Sequence, residues 1–167
     1  MIVSNSTPLI YLAKIGKLNL LKEFFEIILI PEEVKTEVVD KGKKLGSPDA
    51  FLLEKCMEEG WIKVERVENP KDLEEFGIDK GEAEAISLAL ERNLDILADQ
   101  THARLAAKVL GLMPRGTIYV LLRALKEGIL DYDEYLKCLR DLVMSNFRMS
   151  DEVYLEAVRI GKEIMKK

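Results

Sequence analysis

Histidine and glutamine occur once each in this 167-residue chain, as His102 and Gln100, and tryptophan once, as Trp61. Cysteine occurs twice, at Cys56 and Cys138, far apart and in no CxxC pair. That excludes a disulfide scaffold and a structural zinc finger. It fits a reducing cytoplasm in which both thiols are small buried apolar groups. No apolar run approaches the about 20 residues of a membrane span. The N-terminal MIVSNSTPLI has no basic leader and reads as a strand, so no signal peptide is expected. A GxGxxG or GxxxxGK[ST] loop is missing, and Gly42 and Gly46 do not form one, which counts against a dinucleotide or nucleoside triphosphate enzyme. No Ser-His-Asp arrangement stands out. Large positive charge is missing too: 25 basic and 30 acidic residues leave a net charge of -5. The chain therefore lacks the field of a histone-like binder, although a local basic rim suffices for nucleic acid.

What is present is 48% hydrophobic and 33% charged sequence, enough for one soluble folded domain. Short apolar runs at Ile2-Val3, 27–30, 62–67, 94–98 and Leu112-Met113 alternate with amphipathic helical stretches. This pattern predicts an α/β fold with a parallel sheet covered on both faces. Helix starts are written locally. Thr7-Pro8, Pro31 and Ser47-Pro48 read as caps or first-turn prolines. Asp79 with Glu82 and Asp131 with Glu134 have capping-box spacing, and Ser150 opens a last helix. Residues 131–167 show no new strand, so one domain is expected, with a core over about 1–130 and a C-terminal helical extension. Tyr11, Leu12, Ile15 and residues 18–25 exceed the apolar needs of one face and either pack the core or pair two subunits. Trp61 and Phe76 are expected in the core.

In an open α/β sheet, ligands bind beyond the carboxyl ends of the strands. Asn5 closes the first strand, with Ser6 and Thr7 behind it. Glu37 lies in the second turn of the helix starting at Pro31. Glu82 lies in the first turn after Asp79, and Asp99 closes the fourth strand. Asp79 and Glu84 are nearby alternatives, while Asp95 falls at the opposite edge. Crowded carboxylates repel unless a cation compensates, and hard oxygen ligands suit Mg²⁺ or Mn²⁺. Such ions support phosphodiester hydrolysis and bridge an acidic protein to a polyanion. Each acid also has a plain reading: a capping box for Asp79 and Glu82, a helix N-cap for Asp99, a solvated helix acid for Glu37. Lys35, Lys80, Arg104, Lys108 and Arg115 are expected near the same edge, as phosphate contacts or as solvated ion pairs. His102, in the first turn of a helix, is a surface residue, a nucleic-acid contact or a catalytic group.

The segment Val3-Ser4-Asn5-Ser6-Thr7-Pro8-Leu9-Ile10 resembles the opening motif of PIN domains, metal-dependent ribonuclease folds that include the VapC toxins. Gly81-Glu82-Ala83-Glu84-Ala85-Ile86, Leu97-Ala98-Asp99 with Ala103-Arg104, and Gly116-Thr117-Ile118 with Leu121-Leu122 are similar to one prokaryotic subgroup of predicted nucleic-acid-binding proteins. So is the stretch 146–152. The resemblance implies an α/β/α sandwich, an acidic pocket holding Mg²⁺ or Mn²⁺, and cleavage of RNA. It also implies a homodimer and, in the toxin case, an antitoxin-like protein partner. By position it puts the four metal-binding places at Asn5, Glu37, Glu82 and Asp99, with Thr7 in support. A one-residue slip puts Gln100 at the fourth place. Glu37, Glu82 and Asp99 are then the catalytic acids, and Arg104 and Arg115 the RNA contacts. Asn5 departs from the usual Asp, so it brings an oxygen without charge. That departure keeps a second expectation open: a catalytically impaired PIN fold that binds RNA or a protein.

Overall fold

A computed structural model describes residues Met1–Lys167, which divide into two compact units, Met1–Gly116 and Thr117–Lys167. The first unit carries five short strands: β1 (Ile2–Ser4), β2 (Ile28–Pro31), β3 (Ile62–Glu65), β4 (Ile96–Leu97) and β5 (Pro114–Arg115). All pairings are parallel, in the order β3-β2-β1-β4-β5. The chain builds outward from β1 in one direction, then returns to its other side at β4. The carboxyl ends of β1 and β4 therefore flank the topological switch point, the usual crevice of such sheets.

Between the strands run α1 (Ser6–Lys14), α2 (Asn19–Phe25), α3 (Glu32–Lys35), a π-helix (Thr36–Lys41), α4 (Gly42–Lys44), α5 (Pro48–Glu59), α6 (Lys80–Arg92) and α7 (Thr101–Val109). Val3, Leu29 and Ile96 share one buried cluster with Ala85, Ile86, Leu88 and Ala89 of α6 and Ala106 and Ala107 of α7. Alternation along the strands sends Ile2, Ile28, Ile30 and Leu97 to the other face, and these are buried as well. Coverage on both faces explains why Ile2-Val3 and 27–30 read as continuously apolar, whereas the edge strand β3 carries Lys63 and Glu65 and leaves Val64 exposed. The result is the α/β sandwich with a central parallel sheet that the sequence implied. Trp61 is in the core as expected, Phe76 packs at its margin, and both cysteines are buried and free.

Two local readings need correction. The first helix starts before Thr7-Pro8: Asn5 is its N-cap, because the Asn5 side chain already accepts from the Ser6 N–H, and Pro8 sits in the first turn, where no N–H is missed. The last strand is Pro114–Arg115 rather than Leu112-Met113; Leu112 packs against the α6–α7 core and Met113 is exposed.

The second unit is three helices, α8 (Thr117–Lys126), α9 (Tyr132–Met144) and α10 (Asp151–Met165). The Asp131–Glu134 capping box and the Ser150 cap form as predicted. Tyr135 is fully buried, and its hydroxyl donates to the Ala157 carbonyl at 2.7 Å. Tyr135→Phe is expected to cost about 1–2 kcal/mol in a urea melt, the penalty for removing one buried hydrogen bond without opening a cavity. An unchanged midpoint would mean the hydroxyl carries nothing. No helix is long and apolar enough to cross a membrane.

Candidate functional site

The site begins where β1 ends. The Asn5 N–H donates to the Leu97 carbonyl at 2.9 Å, locking the exits of β1 and β4 together. Asn5 is 2% exposed. Its Oδ1 accepts from the Ser6 N–H at 2.8 Å, and its Nδ2 donates to Gln100 Oε1 at 3.4 Å. Gln100 Nε2 donates in turn to Thr7 Oγ1. A chain of two carboxamides and a hydroxyl thus spans the crevice. Thr7 is linked to Asn5 through Gln100, which is exposed at this crevice. The sequence hinted at Gln100 only as a possible misalignment of Asp99.

Glu37 is delivered by the π-helix. Thr36, Val38 and Val39 are β-branched, which weakens a regular α-turn, and such wide turns recur at functional sites. Glu37 Oε2 accepts from the Ser6 hydroxyl at 2.7 Å. Its Oε1 lies against the start of α6, where a Cβ on Gly81 would come within 2.5 Å of it. Glycine at 81 is therefore what lets the carboxylate approach the helix. Asp79 caps α6: Glu82 N–H donates to Asp79 Oδ1 at 2.8 Å, and Asp79 N–H donates to Glu82 Oε1 at 3.3 Å. The plain capping-box reading is correct for this pair, and Glu82 is at the same time part of a crowded acidic group. Burial pushes its carboxyl up to about 7, reinforced by the charges of Asp79 and Glu37. Glu37 is raised too, chiefly by burial and then by Asp79 and Glu33, against the opposing Ser6 hydrogen bond and Lys41. Lys80 does not relieve this group by direct pairing. It sits 3.7 Å from Glu33 and 4.0 Å from Glu84, while Lys35 pairs with Asp40 at 2.9 Å.

Asp99 follows β4 and is half-buried. It is not a helix N-cap, since Gln100 holds that position for α7. Its carboxylate packs on Gly116, where a Cβ would stand 2.9 Å from Oδ1 and 3.3 Å from Arg104 Nη1. Arg104 Nη1 donates to the Ala98 carbonyl at 2.9 Å, and Arg115 pairs with Asp95 at 3.5 Å. The residue after Asp99, Gln100, is the one that reaches Asn5. His102 is exposed, with its Nδ1 3.2 Å from where a Gly77 Cβ would be.

The fold thus links Asn5, Ser6, Thr7, Gln100, Glu37 and the start of α6 by direct contact. It does not gather Glu37, Glu82 and Asp99 on one point: no three acidic, histidine or cysteine side chains stand close enough to hold a metal ion. In kind, the donors fit a hard divalent cation. All are oxygens, and the charge of Glu37, Asp79 and Glu82 is the kind a cation neutralises.

The Gly81 contact can be tested by itself. Gly81→Ala is expected to leave thermal stability within about 2–3 °C of wild type, since alanine favours the helix by up to about 1 kcal/mol. It should displace Glu37 and lower any phosphodiesterase activity at least tenfold. A variant with full activity would show that the position of Glu37 is irrelevant to the chemistry.

Compared with known protein families, residues 1–163 match a family described as a PIN domain. Neither the curated proteins nor the solved structures give a match.

Proposed function

The chain belongs to the PIN-domain family, a nuclease-type fold, and from that premise we propose that it is a metal-dependent endoribonuclease, acting as the toxin of a toxin–antitoxin pair. One observation carries the reading: acids from separate elements lie by the switch-point crevice, and two of them, Glu37 and Glu82, are crowded enough to be raised in proton affinity. On this reading Glu37, Glu82 and Asp99 hold Mg²⁺ or Mn²⁺, with Asn5 as a neutral ligand. When bound, such an ion would polarise a water for attack and offset charge on the phosphate. The Ser6 hydroxyl holds Glu37 in place, and Thr7 with Gln100 holds Asn5. Arg104, close to the end of β4, meets substrate phosphates, and Arg115 at the end of β5 joins it by exchanging its pair with Asp95 for a phosphate. A homodimer, an antitoxin-like partner and a cytoplasmic location belong to the same proposal.

A second reading has its own support. The Asn5 oxygen is engaged as the α1 cap, and no three acids meet. Both favour a silenced PIN fold that binds RNA or a protein without cutting. Incubating the protein with a mixed labelled RNA decides between them, using Mn²⁺, Mg²⁺ or EDTA and Asp99→Asn as control. Metal-dependent cleavage lost at least a hundredfold in the variant supports the nuclease. Absence of cleavage in wild type, with cleavage by Asn5→Asp, supports the silenced site.

A further inference from the structure

The -5 net charge of the chain hides one lysine-rich turn. Lys41, Lys43 and Lys44 fall within four positions, at the end of the π-helix that carries Glu37 and through α4. All three are exposed, and Lys41 and Lys44 make no ion pair. The turn is fixed in place by a close approach. A Cβ on Gly42 would stand 2.6 Å from the Ala50 Cβ, so only glycine lets α4 lie this tightly on α5. The Ser47 N–H donates to the Gly42 carbonyl at 2.9 Å and closes the hairpin. That packing brings Lys43, held by Glu54 at 2.9 Å, to 5.7 Å from the centre of the Phe51 ring. Phe51 is 51% exposed, whereas α5 buries Ala50, Leu53 and Cys56 instead. An aromatic ring clamped on a cation and left open to solvent, beside two unpaired lysines, matches the recognition of single-stranded nucleic acid: bases stack on rings and phosphates meet lysines. The turn is also continuous in structure with the acidic group, since Lys41 ends the same π-helix that carries Glu37.

We propose that the α4–α5 hairpin is a docking platform for single-stranded nucleic acid, on which Phe51 stacks a base and Lys41 and Lys44 hold the flanking phosphates. This rests on the reading above that the chain acts on RNA, and what it adds is the surface on which an unpaired strand first docks, at the far end of the π-helix from Glu37. Duplex would not serve, because its bases are already stacked on one another.

The test is fluorescence anisotropy with a labelled twelve-nucleotide oligouridine, full-length protein and EDTA, so that binding is read without cleavage. Phe51→Ala and Phe51→Leu should each weaken binding about tenfold, and Phe51→Trp should match or exceed wild type. Lys41→Gln with Lys44→Gln should weaken binding and flatten the slope of log Kd against log salt by about 1.4, the release expected for two contacts to a single strand. A twelve-base-pair duplex should bind more weakly than the single strand. Equal binding by wild type and both smaller Phe51 variants overturns the platform, as does equal affinity for duplex. The metal-dependent cleavage assay separates the two claims. A wild type that cleaves RNA while the Phe51 variants bind normally sinks the platform alone. Oligouridine binding that follows the Phe51 series, without any cleavage, sustains the platform and sinks the nuclease. Neither binding nor cleavage sinks both.

Discussion

Glu82→Gln is expected to make the protein more stable and, as a nuclease, nearly inert. The two effects have one cause. In the native state burial pushes the Glu82 carboxyl up to about 7, with Asp79 and Glu37 adding their repulsion. An unfolded chain returns it to the ordinary carboxylate range. The folded state therefore binds the proton more tightly than the unfolded one. Its contribution to stability is fully present below about pH 4.5 and is lost as the pH rises through about 7. Glu37 is shifted in the same direction and adds to the trend. At pH 8 the wild type holds these charges unrelieved. Glutamine keeps the capping box, since its side-chain oxygen still accepts from the Asp79 N–H, but removes one charge. In EDTA at pH 8 the variant should gain roughly 1–2 kcal/mol after allowance for solvent screening at a partly exposed site, a few degrees in melting temperature for a chain of this size. At pH 4.5 the difference should vanish. Mn²⁺ at pH 8 should raise the melting temperature of wild type and leave that of the variant nearly unmoved. RNA cleavage should fall at least a hundredfold. Melting curves that run parallel across the pH range would show that Glu82 is ordinarily solvated.

Much of this arrangement is legible in the order of the residues, and the boundary is physical. The run 27–30 and the Ile96–Ala98 part of 94–98 announce buried parallel strands because both faces are covered, so no polar residue interrupts them. The boxes at Asp79 and Asp131 can be read because partner and cap lie three residues apart. Edge strand β5 slips by two residues because a two-residue strand carries almost no pattern. Sheet topology then predicts the edge at which Asn5, Glu37, Glu82 and Asp99 fall. What it cannot predict is which groups touch. The Gln100–Thr7 bond joins positions 93 apart, and the Ser6–Glu37 bond positions 31 apart. The π-helix under Glu37 is also out of reach. Its β-branched residues permit a wide turn, but the contacts to Ser6 and Gly81 settle where the carboxylate ends up.

Asn5→Asp is the second large effect, and its sign depends on metal. Aspartate caps a helix as well as asparagine does, so α1 keeps its N-terminus. The new oxygen would face Gln100 Oε1, and turning the Gln100 amide over cures this. Its Nε2 then donates to the carboxylate, and the Thr7 hydroxyl donates to its Oε1. The neutral chain therefore tolerates the acid geometrically. Electrostatically it does not, because the position is 2% exposed and Glu37 is one hydrogen-bonded step away through Ser6. In EDTA at pH 8 the variant should lose about 1–3 kcal/mol, the cost of a buried charge partly offset by the helix N-terminus. Mn²⁺ should return that loss, since a cation binding only the folded state stabilises it in proportion to its affinity. Cleavage in Mn²⁺ should rise ten- to a hundredfold, because a carboxylate contributes charge where the carboxamide contributes only an oxygen. The signature is the crossing: less stable than wild type in EDTA, equal or better in Mn²⁺. A variant destabilised equally in both would show that the Asn5 side chain faces no metal. Its role would then be that of a helix cap and a partner for Gln100, and the acids around it would serve to shape the crevice of a binding protein.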